Sequence, residues 1–263
     1  MVIMFILKLG GSVITKKSEQ GCFRPEVMDN LAREIKKANK EVILVHGAGS
    51  FGHILAKQYE LNKGYKNEDQ IHGFSLTHAM VQTLNSFVLK SLHSHNVSAV
   101  SLSPHSIVKL NDHGLARMDY KIFEEYLDQH FTPVTFGDVA LDEKLGFSIC
   151  SGDLLVMALA KYFKPEKVIF VMDEDGLYTS NPKINKDAEF IESTTIEKLE
   201  KLTTSIDAHA DVTGGMGGKI DTMKNISRLG IDTVLLNGNK QDILYNALIG
   251  EDAKRTIVYG DKK

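Results

Sequence analysis

The sequence predicts an α/β fold, a three-layer αβα sandwich around a mainly parallel central sheet. Two observations carry this. Short apolar runs bounded by turn residues alternate with segments of helical periodicity along nearly all of the 263 residues. Glycine clusters at 10–11, 47–52 and 214–218 each follow such a run or open such a helix. In parallel sheets, ligands sit outside the carboxyl ends of the strands, where such turns lie.

The first strand, Val2 to Leu7, is almost wholly apolar, as a strand buried on both faces should be. It runs into Lys8-Leu9-Gly10-Gly11-Ser12, where glycine lets the backbone approach a ligand and Lys8 adds a point charge. Lys16 and Lys17 follow on a loop. A helix then starts at Arg24-Pro25-Glu26, with Val27, Met28, Leu31 and Ile35 on one face. Glu41 to Val45 is the second strand. It enters His46-Gly47-Ala48-Gly49-Ser50-Phe51-Gly52-His53, and Ile54 to Glu60 continues as helix. Strand, glycine turn, helix aims backbone N–H groups and a helix N-terminus at one point, a ready anion site.

Asn62 to Gln70 reads as an exposed connection. His72 to His95 reads as a long helix with Phe74, Met80, Leu84, Phe87, Val88 and Leu92 as its apolar stripe. Strands follow at Val97–Leu102 and Thr132–Asp138, the latter ending in Gly-Asp, with a helix at Met118–His130 between them. Val139 to Ile149 reads as a hairpin on the sheet edge, turning at Asp142–Gly146. Cys150-Ser151-Gly152-Asp153 opens the helix Leu154–Phe163, and Lys167–Met172 is a further buried strand ending in Asp173. Leu177–Asp187 reads as a loop and Thr195–Leu202 as a short helix. The third glycine cluster leads into Lys219 and the helix Ile220–Leu229. A strand at Thr233–Leu236, a helix at Gln241–Leu248 and a strand at Thr256–Tyr259 complete the chain.

A net charge of −3 and the lack of a basic stripe exclude nucleic acid as an expected partner. The N-terminal apolar run is too short to span a membrane, and the expected location is cytoplasmic. Cys22 and Cys150 stand in unrelated contexts and read as reduced thiols, and the scattered histidines give no metal site. Gly47 to Gly52 matches the dinucleotide pattern, but the acidic residue about 20 positions on, at the end of a next strand, is lacking. A P-loop is lacking too: Gly214 to Lys219 is one residue short, and Ile220 stands where a hydroxyl should hold Mg²⁺. Glycine loops, Lys8, Lys219 and Asp153 at a helix start suit phosphoryl transfer by positioning and charge neutralisation.

These residues resemble the amino acid kinase family. The parts that match are Lys8-Leu9-Gly10-Gly11-Ser12-Val13-Ile14-Thr15, His46 to His53, Ser151-Gly152-Asp153 and Asp211-Val212-Thr213-Gly214-Gly215-Met216. Ser50-Phe51-Gly52-His53 is similar to the archaeal-type isopentenyl phosphate kinase branch. Ala48 departs from the glycine usual in this loop but keeps its N–H donor. The resemblance implies ATP and Mg²⁺ as cofactors and isopentenyl phosphate as the small-molecule substrate. It also implies a homodimer, and a substrate lobe over 1–165 and a nucleotide lobe over 166–263 sharing one sheet. It places Lys8, Lys17, His53, Asp153 and Lys219 in catalysis. It assigns Lys8, Leu9, Gly10, Gly11, Ser12, Gly49, Asp173, Gly215 and Lys219 to the nucleotide, and Ala48, His53 and Gly152 to the substrate phosphate, with Lys16 an alternative to Lys17. Phe74, Ser75, Thr77, His78 and Met80 are candidates for the wall of the apolar tail. The competing readings are another kinase of the family, a nucleotide-binding regulatory protein without catalysis, and a dinucleotide oxidoreductase.

Overall fold

The computed structural model describes residues 4–180, 182, 185–200 and 216–261. In chain order its elements are β1 (Met4–Leu9), α1 (Gly11–Ile14), α2 (Pro25–Ala38), β2 (Glu41–His46), α3 (Gly49–Gln58), α4 (Asp69–Ser94), β3 (Ala99–Ser101), α5 (Pro104–Ile107), β4 (Val108–Asn111), β5 (Gly114–Met118), α6 (Lys121–Asp128), β6 (Thr132–Phe136), β7 (Asp138–Asp142), β8 (Gly146–Cys150) and α7 (Gly152–Phe163). There follow β9 (Lys167–Met172), β10 (Leu177–Tyr178), β11 (Phe190–Ile191), β12 (Ser193–Thr194), α8 (Met216–Ser227), β13 (Asp232–Asn237), α9 (Ile243–Ile249) and β14 (Arg255–Val258).

The central sheet has eight strands in the order β12-β14-β13-β9-β1-β2-β6-β3. All neighbours pair parallel except β13 and β14. Period-two alternation sorts β1 between two apolar layers. Met4 and Ile6 join a core with residues of α6, α7 and α8, while Phe5, Leu7 and Leu9 join a core with residues of α2, α4 and α9. Each fully buried aliphatic or aromatic side chain in these layers contributes about 1.5–3 kcal/mol. Lys8 falls in the Met4–Ile6 register, so the strand points its charge at the α7 side.

The hairpin predicted at the edge of the main sheet forms, but elsewhere. β7 and β8 pair antiparallel within a separate four-stranded sheet, β5-β4-β7-β8. Gly137 ends the β6 ladder by donating to the His46 carbonyl at 2.9 Å, and the chain then leaves the main sheet. The β4–β5 hairpin was not predicted, and Met118 closes β5 rather than starting a helix. The Asp142 carboxylate holds both tips of this sheet, accepting from the backbone N–H of Asp112, His113, Lys144 and Leu145 at 2.9–3.0 Å. The predicted loop 177–187 contains β10, which pairs with β11. Among the described residues no helix is long and apolar enough to cross a membrane.

Candidate active site

Two glycine turns meet at the carboxyl ends of β1 and β2. Gly10 donates to the Val171 carbonyl at 2.9 Å, and Gly47 donates to the Leu9 carbonyl at 2.9 Å. The turns press together so closely that a Cβ on Gly11 would lie 2.5 Å from the Gly49 nitrogen. Gly49 itself sits at φ +52°, and a side chain there would run into Thr15. Thr15 stitches the two turns: its hydroxyl donates to the Gly11 carbonyl at 2.7 Å and accepts from the Ser50 N–H at 3.0 Å. After Gly10 the chain makes one helical turn, α1.

The turns open a cleft of about 490 Å³, walled by Gly10, Gly11, Ser12, Gly47, Ala48, Gly49, His53, Gly152, Asp153, Lys8, Lys17 and Lys219. The helices α3 and α7 begin at this cleft, which adds their positive dipole ends. Ser151 caps α7 by accepting from the Leu154 N–H at 3.1 Å. Its neighbour Asp153 forms an ion pair with Lys8, whose side chain is only 8% exposed. Burial lowers the Lys8 pKa, Asp153 acts against that, and Lys219 lowers it further. The ring of His53 is also pushed below its ordinary value, first by desolvation and then by Lys8, Lys219 and Lys17. His53 lines the cleft as an exposed residue, and the charges of these three lysines act on its ring. The cleft is therefore built for an anion.

Lys17 and Lys16 separate clearly. Lys17 lines the cleft and donates to Asp173 at 3.2 Å, while Lys16 pairs outside it with Glu19 at 3.7 Å. Asp173 also accepts from the Ser12 hydroxyl at 3.0 Å. Burial raises its carboxyl, but Lys17 and Ser12 outweigh that and hold it below the usual range. Asp173 thus bonds to residues of the cleft without being part of its wall. Leu9 departs from the expectation. Its side chain is fully buried in the core with Leu7, because alternation turns it to the face opposite Lys8. Gly215, with Asp211 to Gly214, lies outside the described residues.

The cleft lining also includes the apolar residues Ile54, Ala56, Val81, Val139 and Ile149. Of the tail candidates on α4, Thr77 reaches it; Phe74, Ser75, His78 and Met80 do not, and Val81, one turn beyond Thr77, does. Cys150 is also in the wall, but burial pushes its thiol up to about 12, so it packs rather than reacts. Two supports were not anticipated. His46 stacks on Phe136 with ring centroids 5.0 Å apart and contacts the Gly47 carbonyl and the Asn85 amide. Asp138, buried at the cleft wall, bonds to His78 at 2.8 Å. Both link residues far apart in sequence, and no local pattern announces them.

The model of the amino acid kinase family matches residues 4–237. The isopentenyl phosphate kinase of Methanothermobacter thermautotrophicus is 36% identical over 266 aligned residues, covering 98% of this chain and 99% of that one. The isopentenyl phosphate kinase of Thermoplasma acidophilum is 33% identical, covering 97% and 98%. A crystal structure of isopentenyl phosphate kinase superposes with a TM-score of 0.85 at 33% identity over 97% of this chain and 99% of the other. A UMP kinase from Ureaplasma parvum, 16% identical with a TM-score of 0.67, shares the fold. With this match spanning nearly all of β1 to β13, the chain belongs to the amino acid kinase family.

Proposed function

We propose that this chain is an ATP-dependent kinase that converts isopentenyl phosphate to isopentenyl diphosphate by direct in-line transfer. The observation that carries the reading is the two-part cleft. One wall lining holds lysines and glycine turns together with apolar side chains, Ile54, Val81, Val139 and Ile149, of the kind a short branched alkyl tail would pack against. The full-length similarity to isopentenyl phosphate kinases supports the same substrate.

In this reading Lys8 and Lys219 flank the transferred phosphoryl group and stabilise charge on its equatorial oxygens. Asp153 holds Lys8 in place. The N–H groups of Gly10, Gly11 and Gly49, with Ser12, receive the ATP phosphates, and Asp173 anchors Lys17 and Ser12 beside them. Ala48, Gly152 and His53 receive the phosphate of the acceptor. A phosphate dianion raises the pKa of an adjacent imidazole, opposing the depression set by desolvation and the three lysines. The acceptor oxygen is already ionised at neutral pH, so the nucleophile needs no base. The carboxylates that line the cleft, Asp153 and Asp138, are each bound to a protein partner, Lys8 and His78. Among the described residues they form no cage for Mg²⁺, which would then be held largely by the nucleotide phosphates and would supply charge neutralisation there. The lobes 1–165 and 166–263, a homodimer and a cytoplasmic location belong to the same proposal.

The His53→Ala variant tests the assignment. Losing one charge-assisted hydrogen bond of about 1.5–3 kcal/mol should raise KM for isopentenyl phosphate at least about tenfold and leave KM for ATP nearly unchanged. An unchanged KM for isopentenyl phosphate would remove His53 from the acceptor site.

A further inference from the structure

We propose that His78, His105 and Asp138 form a binding site for a divalent transition metal ion, zinc being the ion that two imidazoles and a carboxylate suit best. The three residues come from α4, α5 and β7 and are far apart in sequence. One donor atom from each lies within 4.8 Å of the others. The His78 Nδ1 is 2.8 Å from an oxygen of Asp138, and the two imidazole rings meet edge to face with centroids 4.2 Å apart. Tetrahedral zinc sets its ligand atoms about 3.3 Å apart, so the His78–Asp138 pair would open slightly and His105, which is exposed, would close in on it.

The residues around the cluster already orient the ligands as an outer layer does in zinc proteins. Asp138, 3% exposed, has its Oδ1 held by the Val139 N–H at 2.8 Å, which leaves Oδ2 directed at His78. His105 has a serine hydroxyl at each ring nitrogen, Ser103 at 2.8 Å from Nδ1 and Ser106 at 3.0 Å from Nε2. Whichever nitrogen binds metal, the other keeps a partner. The Ser103 hydroxyl is in turn fixed from α4, accepting from Gln82 at 2.6 Å. Solvent reaches the cluster from the His105 side. Bound metal would tie α4 and α5 to β7, behind the wall to which Thr77 and Asp138 contribute. None of this depends on which substrate the cleft takes.

The test uses the full chain stripped of metal with a chelator and titrated with Zn²⁺ against a chromophoric competitor, with Co²⁺ as a spectroscopic stand-in. The expected result is one equivalent of tightly bound Zn²⁺, the visible bands of four-coordinate Co²⁺, and a melting temperature that rises with free Zn²⁺. His105→Ala and His78→Asn should each weaken binding at least tenfold, about the cost of disturbing a zinc ligand shell. His105 is exposed, so its variant decides the matter even if the His78 variant folds poorly. Failure of the intact chain to outcompete the chelator would overturn the proposal. So would stoichiometric binding that survives His105→Ala.

Discussion

Lys8 is a cation carried into the interior by the register of β1, tolerable there because Asp153 meets it at the start of α7. In the proposed function its charge at the cleft wall stabilises the transferred phosphoryl group. Lys8→Met keeps the length of the side chain and removes the charge. It should lower kcat by about 10²–10³, the usual loss when one oriented charge-stabilising donor is removed, which steady-state kinetics will read. His46 supports the neighbouring turn from below and carries a second prediction. Burial, only partly offset by its hydrogen bonds to Gly47 and Asn85, lowers its pKa from 6.5 to about 4. The unfolded chain therefore takes up a proton near pH 6.5 that the folded chain refuses until about pH 4. Stability falls as pH drops through that window, by up to about 3 kcal/mol for this group. Urea unfolding at several pH values should show the slope in the wild type, and His46→Gln should flatten it.

At the scale of elements, one carboxylate, that of Asp142, unites the tips of the β4–β5 and β7–β8 hairpins. Asp112 and His113 both adopt positive φ, at 50° and 66°, and their N–H groups point to its carboxylate. Burial acts to raise the Asp142 pKa, but four backbone donors hold it below the ordinary value. Asp142→Ala leaves those donors without a charged acceptor and should cost about 3 kcal/mol, seen as a lower midpoint in denaturant. The small sheet was also the least legible part of the sequence. Its strands are four or five residues long: β4 alternates buried Val108 and Leu110 with Lys109 and Asn111, but only over four residues, and β5 shows no such pattern. The central strands were easy for the opposite reason. β1, β2 and β9 are continuous apolar runs because helices cover both faces. Period two also sends the Lys8 and Leu9 side chains to opposite faces of β1, so the Leu9 side chain packs in the core.

For the whole molecule, the sheet order sets strands from 1–165 on one side of the β1–β9 pair and strands from 166–263 on the other. The glycine turns and Lys8 could be read from sequence because each is a local solution to close phosphate approach. The pairing of Lys17 with Asp173, the His46–Asn85 contact and the His78–His105–Asp138 cluster could not, because only the folded sheet brings these residues together. The cleft joins these parts into a single claim: a phosphate held by lysines and glycine N–H groups, with an alkyl tail beyond it. Phosphorus NMR of the purified chain incubated with ATP, Mg²⁺ and isopentenyl phosphate tests that claim most directly. The account predicts the paired resonances of isopentenyl diphosphate appearing at the expense of the monophosphate. An unchanged monophosphate signal, with N-acetylglutamate or UMP phosphorylated instead, would contradict it.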